Sequence, residues 1–214
     1  VKISLFILFV VFLPVLSTAG SVQAQCTGLP DLSLSIISQN YDGQATLLVV
    51  PDGSGPPLTA ARTAAGTTVD ATIHLTLIAY CEGEDPVVGF PMEDMWLESV
   101  GGGLVICMGG TTADAATDQN GHTQWSQAME AGGWDEGPSR VSVNGSPLSG
   151  TQDLTLDFNS PDINGDLAVN LSDVALFSQD FWGGFSFRAD LWRDGSLNLS
   201  DVGALANSVG ATCP

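Results

Sequence analysis

Basic residues are nearly missing from this sequence: five Lys and Arg stand against 24 Asp and Glu in 214 residues, a formal net charge of −19 at pH 7. A chain so poor in cations cannot neutralise a phosphate backbone, which excludes nucleic acid as a partner. Adsorption to anionic lipid is excluded on the same ground. Such acidity fits a calcium binder and equally fits plain solubility. Histidine is down to two residues, His74 and His122. Neither has a Ser or Cys partner at a recognisable spacing, and both read as solvated, one on the polar face of a strand and one at a turn. The four cysteines, Cys26, Cys81, Cys107 and Cys213, contain no C-x-x-C element and lie far from both histidines, which argues against zinc bound by cysteine. Past residue 24 no apolar run approaches the ~20 residues of a spanning helix.

What the sequence does have begins with Lys2, an apolar run over 3–16, and a small-residue stretch ending in Val22-Gln23-Ala24. That pattern predicts a secretory signal peptide over 1–24. The mature chain is then expected to be secreted, extracellular or at the cell surface, with no membrane insertion after cleavage. An even cysteine count in an exported chain favours disulfides. Three pairings are possible, and the preferred one is Cys81–Cys107 with Cys26–Cys213.

Within an expected domain of residues 25–157, residues 31–157 read as short strands separated by turns. In 69–81, Val69, Ala71, Ile73, Leu75, Leu77, Ala79 and Cys81 form one apolar face against Asp70, Thr72, His74 and Thr76. A period of two is the mark of a half-buried strand. Further strands are predicted at 32–37, 45–50, 87–90, 95–100, 104–108, 123–129, 140–144 and 154–158. Turn signals such as Asp52-Gly53, Asn120-Gly121 and Asn144-Gly145 lie between them. Many short strands with Gly-rich turns predict a β-sandwich. The stretch from Ala113 through Asp118-Gln119-Asn120-Gly121 to Gly133, following the long 69–81 strand and Pro86-Val87-Val88-Gly89-Phe90-Pro91, resembles bacterial Ig-like domains. That resemblance implies a fold and no activity.

The texture changes after a short joint at 158–161. Asp162, Asn164, Asp166, Ala168, Asn170 and Asp173 stand at positions 1, 3, 5, 7, 9 and 12 of a loop. Asp190, Asp194, Ser196, Asn198 and Asp201 recur 28 residues later, with Trp192 at position 3. Calcium takes six to eight oxygens from side chains at such alternating positions, with a backbone carbonyl at position 7 and a closing carboxylate at 12. Ca2+ is therefore the expected cofactor of both loops, with the second weaker, completed by water, or empty, because Trp offers no oxygen. Asn170 and Asn198 also fit glycosylation sequons and are read as ligands. Position 6, normally Gly, is Gly195 in the second loop and Leu167 in the first. Leu167 must take a strained conformation there, or Gly165 must relax the turn.

Each loop leads into a short helix, capped by Ser172 or Ser200, with Val174, Phe177 and Phe181 on one inner face and Val202, Leu205 and Val209 on the other. Neither loop has the entering helix of an EF-hand. Tandem loop–helix units of this kind over 158–214 resemble the type I dockerin module. The resemblance implies two antiparallel EF-hand-like units and a cohesin-like partner, met by Leu171, Ser172, Leu199 and Ser200. The basic residues usual later on dockerin helices are replaced here by Gln179 and Asn207.

Carboxylates at Glu82, Glu84, Asp85, Glu93 and Asp94 read as solvated loops rather than the paired acids of a glycosidase. Trp96 and Trp125 read as core, and Trp134 as the best candidate for a sugar-stacking ring. The expectation is a mostly β, non-catalytic exported protein: an Ig-like β-sandwich followed by a small α-helical dockerin-type calcium module. Its role would be attachment, display or assembly. One alternative is a carbohydrate-binding component of a polysaccharide-degrading, cellulosome-like system, where any catalytic link would be to glycosyl hydrolases. Another is a structural surface protein with a calcium-stabilised cap.

Overall fold

A computed structural model describes residues 28–80, 85–148 and 153–214. These are mostly β, with two α-helices near the C-terminal end. The strands are β1 (Ile36–Gln39), β2 (Ala45–Leu48), β3 (Ala61–Arg62), β4 (Thr68–Val69), β5 (Ile73–Thr76), β6 (Met95–Ser99), β7 (Leu104–Ile106), β8 (His122–Trp125), β9 (Ala131–Gly133), β10 (Ser139–Val143), β11 (Ser146–Pro147) and β12 (Leu156–Asn159). Helices α1 (Leu171–Gly183) and α2 (Leu199–Ser208) follow. The sheets run β1-β5-β8, β11-β10-β6, β12-β2-β3-β4 and β7-β9. Their inner faces share one apolar cluster that includes Leu47, Ile73, Leu75, Leu97, Trp125, Val141 and Phe158.

The 69–81 run keeps its apolar face but not its continuity. Ala71, Ile73, Leu75, Leu77 and Ala79 are all buried. The strand breaks at Asp70, whose Oδ1 accepts from the Thr72 N–H at 3.0 Å and its hydroxyl at 2.5 Å. A side chain that bonds two residues on competes with the ladder and turns the chain. The 32–37 strand starts late for the same reason, since Asp31 Oδ1 accepts from Ser33. No strand forms at 87–90. Strand β9 was not predicted, because Ala131-Gly132-Gly133 carries no alternation to read.

Strand β12 lies parallel to β2, from Leu156 opposite Ala45 to Asn159 opposite Leu48. Of residues 158–161, expected as a joint, Phe158 and Asn159 complete this strand, and all four are buried. The chain therefore enters the first acidic loop from the floor of a sheet. A second apolar cluster holds Ile163, Val169, Phe177, Ala189, Leu191, Leu205 and Ala211 together with Val50, which follows β2. Burying a Phe177 or Leu205 side chain contributes about 1.5–3 kcal/mol. Val174 and Phe181 pack against this cluster as expected. Val202 and Val209 are instead exposed, and α2 ends at Ser208.

The cysteine pairing differs from expectation. Cys107 is bonded to Cys213, 106 residues away, with Cα atoms 5.7 Å apart. This excludes both Cys81–Cys107 and Cys26–Cys213; Cys26 and Cys81 themselves lie outside the described residues. The cause is the placement of the tail. Ala168 bridges Thr212, and the Cys213 N–H donates to Leu167 O at 3.4 Å, so the C-terminus follows the first loop. That loop lies against β7 and β9, and Cys107 directly follows β7. The signal-peptide reading also falls on residues outside those described. No helix among the described residues is long and apolar enough to cross a membrane.

Candidate metal centre

Aspartates at positions 1 and 12 wire both loops in nearly the same way. In the first, Asp162 Oδ2 accepts from the Leu167 N–H at 2.8 Å, and Oδ1 accepts from Gly165 and Asp166 at 3.0 and 3.1 Å. Asp173 accepts from Asn164 at 3.1 Å and Asn170 at 2.9 Å. In the second, Asp190 accepts from Gly195 and Asp194, each at 3.0 Å, and Asp201 from Trp192 and Asn198, each at 2.8 Å. Every partner is shifted by 28 residues except the Gly165 bond, which the second loop lacks.

The turn chemistry is shared too. Gly165 and Leu167 have φ of 69° and 67°; Arg193 and Gly195 have 51° and 78°. Positions 4 and 6 are thus left-handed in both loops, and each loop supplies only one Gly for two such places. Leu167 takes the costly conformation, and Gly165 does not relieve it.

The helix caps are Asn170 and Asn198, not Ser172 and Ser200. Each Asn side chain accepts from the N–H two residues on, at 2.8 Å, and Asp173 and Asp201 reach back to complete the capping boxes. The Asn Nδ2 groups donate to the position-7 carbonyls, Ala168 O at 2.9 Å and Ser196 O at 3.2 Å.

Ligand oxygens of Asp162, Asp166 and Asp173 lie within 4.8 Å of one another. Asn164 joins them through Nδ2, 3.0 Å from Asp166 Oδ2. Asp162 and Asp173 are fully buried, while Asp166 is exposed and leaves one side open. Burial pushes the Asp162 carboxyl above its usual range; backbone donation from Leu167 and Asp166 opposes this, and the charges of Asp173 and Asp166 reinforce it. Hard carboxylate oxygens converging in a partly buried loop fit a divalent cation, which would relieve that repulsion.

The second loop is built differently. No second such triad occurs among the described residues. Asp190 and Asp201 are fully buried, and burial raises Asp201 against the donation of Trp192 and Asn198. A guanidinium supplies positive charge here: Arg193 Nη1 stands 3.5 Å from Asp190 Oδ2 and Nη2 4.0 Å from Asp157 Oδ2. Arg193 Nε donates to Thr46 Oγ1 on β2 at 2.9 Å, and the group lies 4.6 Å from the Phe187 ring centre. Trp192 is covered by the Arg62 guanidinium, 3.8 Å from its ring centre.

Neither loop stands apart from the sheets. The Gly133 N–H donates to Asp162 O at 2.8 Å, and Gly132 has no room for a Cβ beside the Asp162 carboxylate. Asn159 Nδ2 donates to Phe187 O and Asp190 O at 2.7 and 3.1 Å. Gly132, Asn159 and Arg193 are supports that no loop motif reveals. Away from the sheets, Leu171 and Leu199 are 81% and 82% exposed; Ser172 is exposed and Ser200 half-buried. Trp125 is buried, Trp96 half-buried, and Trp134 is 36% exposed.

No protein-family model matches this chain, nor does any curated protein or solved structure.

Proposed function

We propose that the chain is an exported, non-catalytic protein whose C-terminal part is a dockerin-type calcium module carried on an Ig-like β-sandwich. Its role is attachment or assembly outside the cytoplasm through a cohesin-like partner. The observation that carries this reading is the repeated wiring of the loops. Two 12-residue loops share four Asp-to-backbone bonds and an Asn cap each, and each opens into a helix whose first residue is an exposed Leu. Calcium, when bound, supplies a charge that holds the loop carboxylates together. The residues do the rest. Asp162, Asp166 and Asp173 ligate, Asn170 and Asn198 start the helices, and Leu171 and Leu199 present twin apolar contacts.

Extracellular modules bind calcium at about 10⁻⁴–10⁻³ M. At ~1 mM calcium and a Kd of ~0.1 mM, binding adds roughly 1.4 kcal/mol of stability. The test is binding of the full chain to a panel of immobilised cohesin modules, in calcium and in chelator. Calcium-dependent capture, lost in a Leu171→Asp/Leu199→Asp double variant, is expected. Failure to bind any cohesin in calcium sinks the partner assignment and leaves the stabilised-cap reading, which the docked loops and the tail disulfide favour.

A carbohydrate reading has one specific observation behind it. Trp134 lines a cavity of about 340 Å³ with Asp135, Asn164 and Gly165, beside the first loop. Trp fluorescence unmoved by a panel of polysaccharides dismisses it.

A further inference from the structure

The chain's two histidines meet. His74 on β5 and His122 at the start of β8 are 48 residues apart, yet His74 Nδ1 lies 3.2 Å from His122 Nε2. The register sets Thr76 opposite His122 and His74 opposite Gln124, which makes the two imidazoles diagonal neighbours on one face. That face is the outer, polar side of the β1-β5-β8 sheet, and both rings are half-buried there.

A chain of bonds orients the pair. His74 Nε2 lies 3.1 Å from Asn40 Oδ1, an oxygen that only accepts, so Nε2 carries the proton. With that proton on Nε2, it is Nδ1 that faces His122. Asn40 is fixed in turn, because its Nδ2 donates to Asp70 Oδ2 at 2.9 Å. Asp70 is anchored by Thr72. A carboxylate–amide–imidazole relay of this kind is the outer shell that sets the tautomer of a metal-ligating histidine.

We propose that His74 and His122 form a two-imidazole site for a borderline divalent transition ion of the Zn2+ class. Two nitrogens 3.2 Å apart, each ~2.05 Å from one ion, subtend about 100°, close to a tetrahedral angle. The ion would lie to one side of the line joining the two nitrogens, and each imidazole would turn toward it. To offer Nε2 to the ion, His122 must carry its proton on Nδ1. Water fills the remaining positions from the open side. Imidazole nitrogen selects such ions over calcium, which prefers oxygen, so this site is chemically distinct from the acidic loops.

The test uses the full chain in saturating calcium, which occupies the acidic loops, with Zn2+ as titrant. Calorimetry is expected to give one equivalent of zinc, and the imidazole carbon-bound proton resonances of both histidines are expected to shift together. His74→Ala and His122→Ala should each weaken zinc binding at least tenfold, and Asn40→Ala about tenfold. Calcium binding should not change in any of the three. The proposal is overturned if the unaltered chain shows no zinc heat at millimolar zinc. It is equally overturned if zinc heat persists undiminished in both histidine variants, which would put the ion in the acidic loops.

Discussion

The carboxylate of Asp162 lies against the bare Cα of Gly132, in the space a side chain there would fill. Strand β9 thus presses on the first residue of the first loop, and the sheet holds the carboxylate in place. Gly132→Ala should displace Asp162 and weaken calcium binding at least tenfold, while Gly203→Ala is the control. Gly203 lies inside α2 with nothing within 4 Å of an added Cβ. It should gain about 0.5–1 kcal/mol of stability from helix propensity. Paired calcium titrations and urea unfolding of the two variants check this.

Position 6 offers a second test. Leu167 holds a φ that L-residues reach only at a cost of about 1–2 kcal/mol, where the second loop has Gly195. Leu167→Gly should raise stability by about 0.5 kcal/mol, because the chain entropy of Gly offsets part of the relief. Gly195→Ala should lower it by about 1 kcal/mol. Urea midpoints that move in the opposite directions contradict the shared-turn account.

These loops show what was legible in the sequence. Carboxylates at alternating positions announced the first site, because ligand spacing is a local property. The apolar face of Ala71 to Ala79 was legible for the same reason. Asp31 and Asp70 broke strands through bonds that periodicity does not see. Cys107–Cys213 was not legible, since it depends on where the first loop docks. Arg193 was not either: its partners Thr46 and Asp157 lie far back in the chain. Neither histidine pointed to the other until the β5–β8 register aligned them.

Asp157 predicts a pH dependence. Burial pushes its carboxyl up to about 6, against donation from Gln44 and the charge of Arg193. A folded-state value above the unfolded one means that the folded state binds the extra proton. Stability from this group is full below about pH 4 and is lost as pH rises through about 6. The loss is on the order of 3 kcal/mol. Asp157→Asn should flatten that slope when unfolding of the variant and of the unaltered chain is followed from pH 4 to 7 at one fixed calcium concentration, the difference between the two slopes isolating this group. An unchanged slope would assign it to other groups.

The disulfide closes a span of 106 residues. A loop of that size constrains the unfolded chain by about 4–5 kcal/mol. The double variant Cys107→Ser/Cys213→Ser should lose stability of that order. It should also bind calcium more weakly, because Cys213 and Thr212 brace Leu167 and Ala168. Urea unfolding and calcium titration of the double variant measure both. Unchanged calcium affinity would show that the tail does not support the loop.

Calorimetric titration of calcium into the full chain, with Asp162→Ala and Asp190→Ala variants alongside, addresses the central claim most directly. The account predicts one site of sub-millimolar affinity that Asp162→Ala abolishes, and a weaker event, or none, that depends on Asp190. No heat at millimolar calcium, or a strong site untouched by Asp162→Ala, would contradict it.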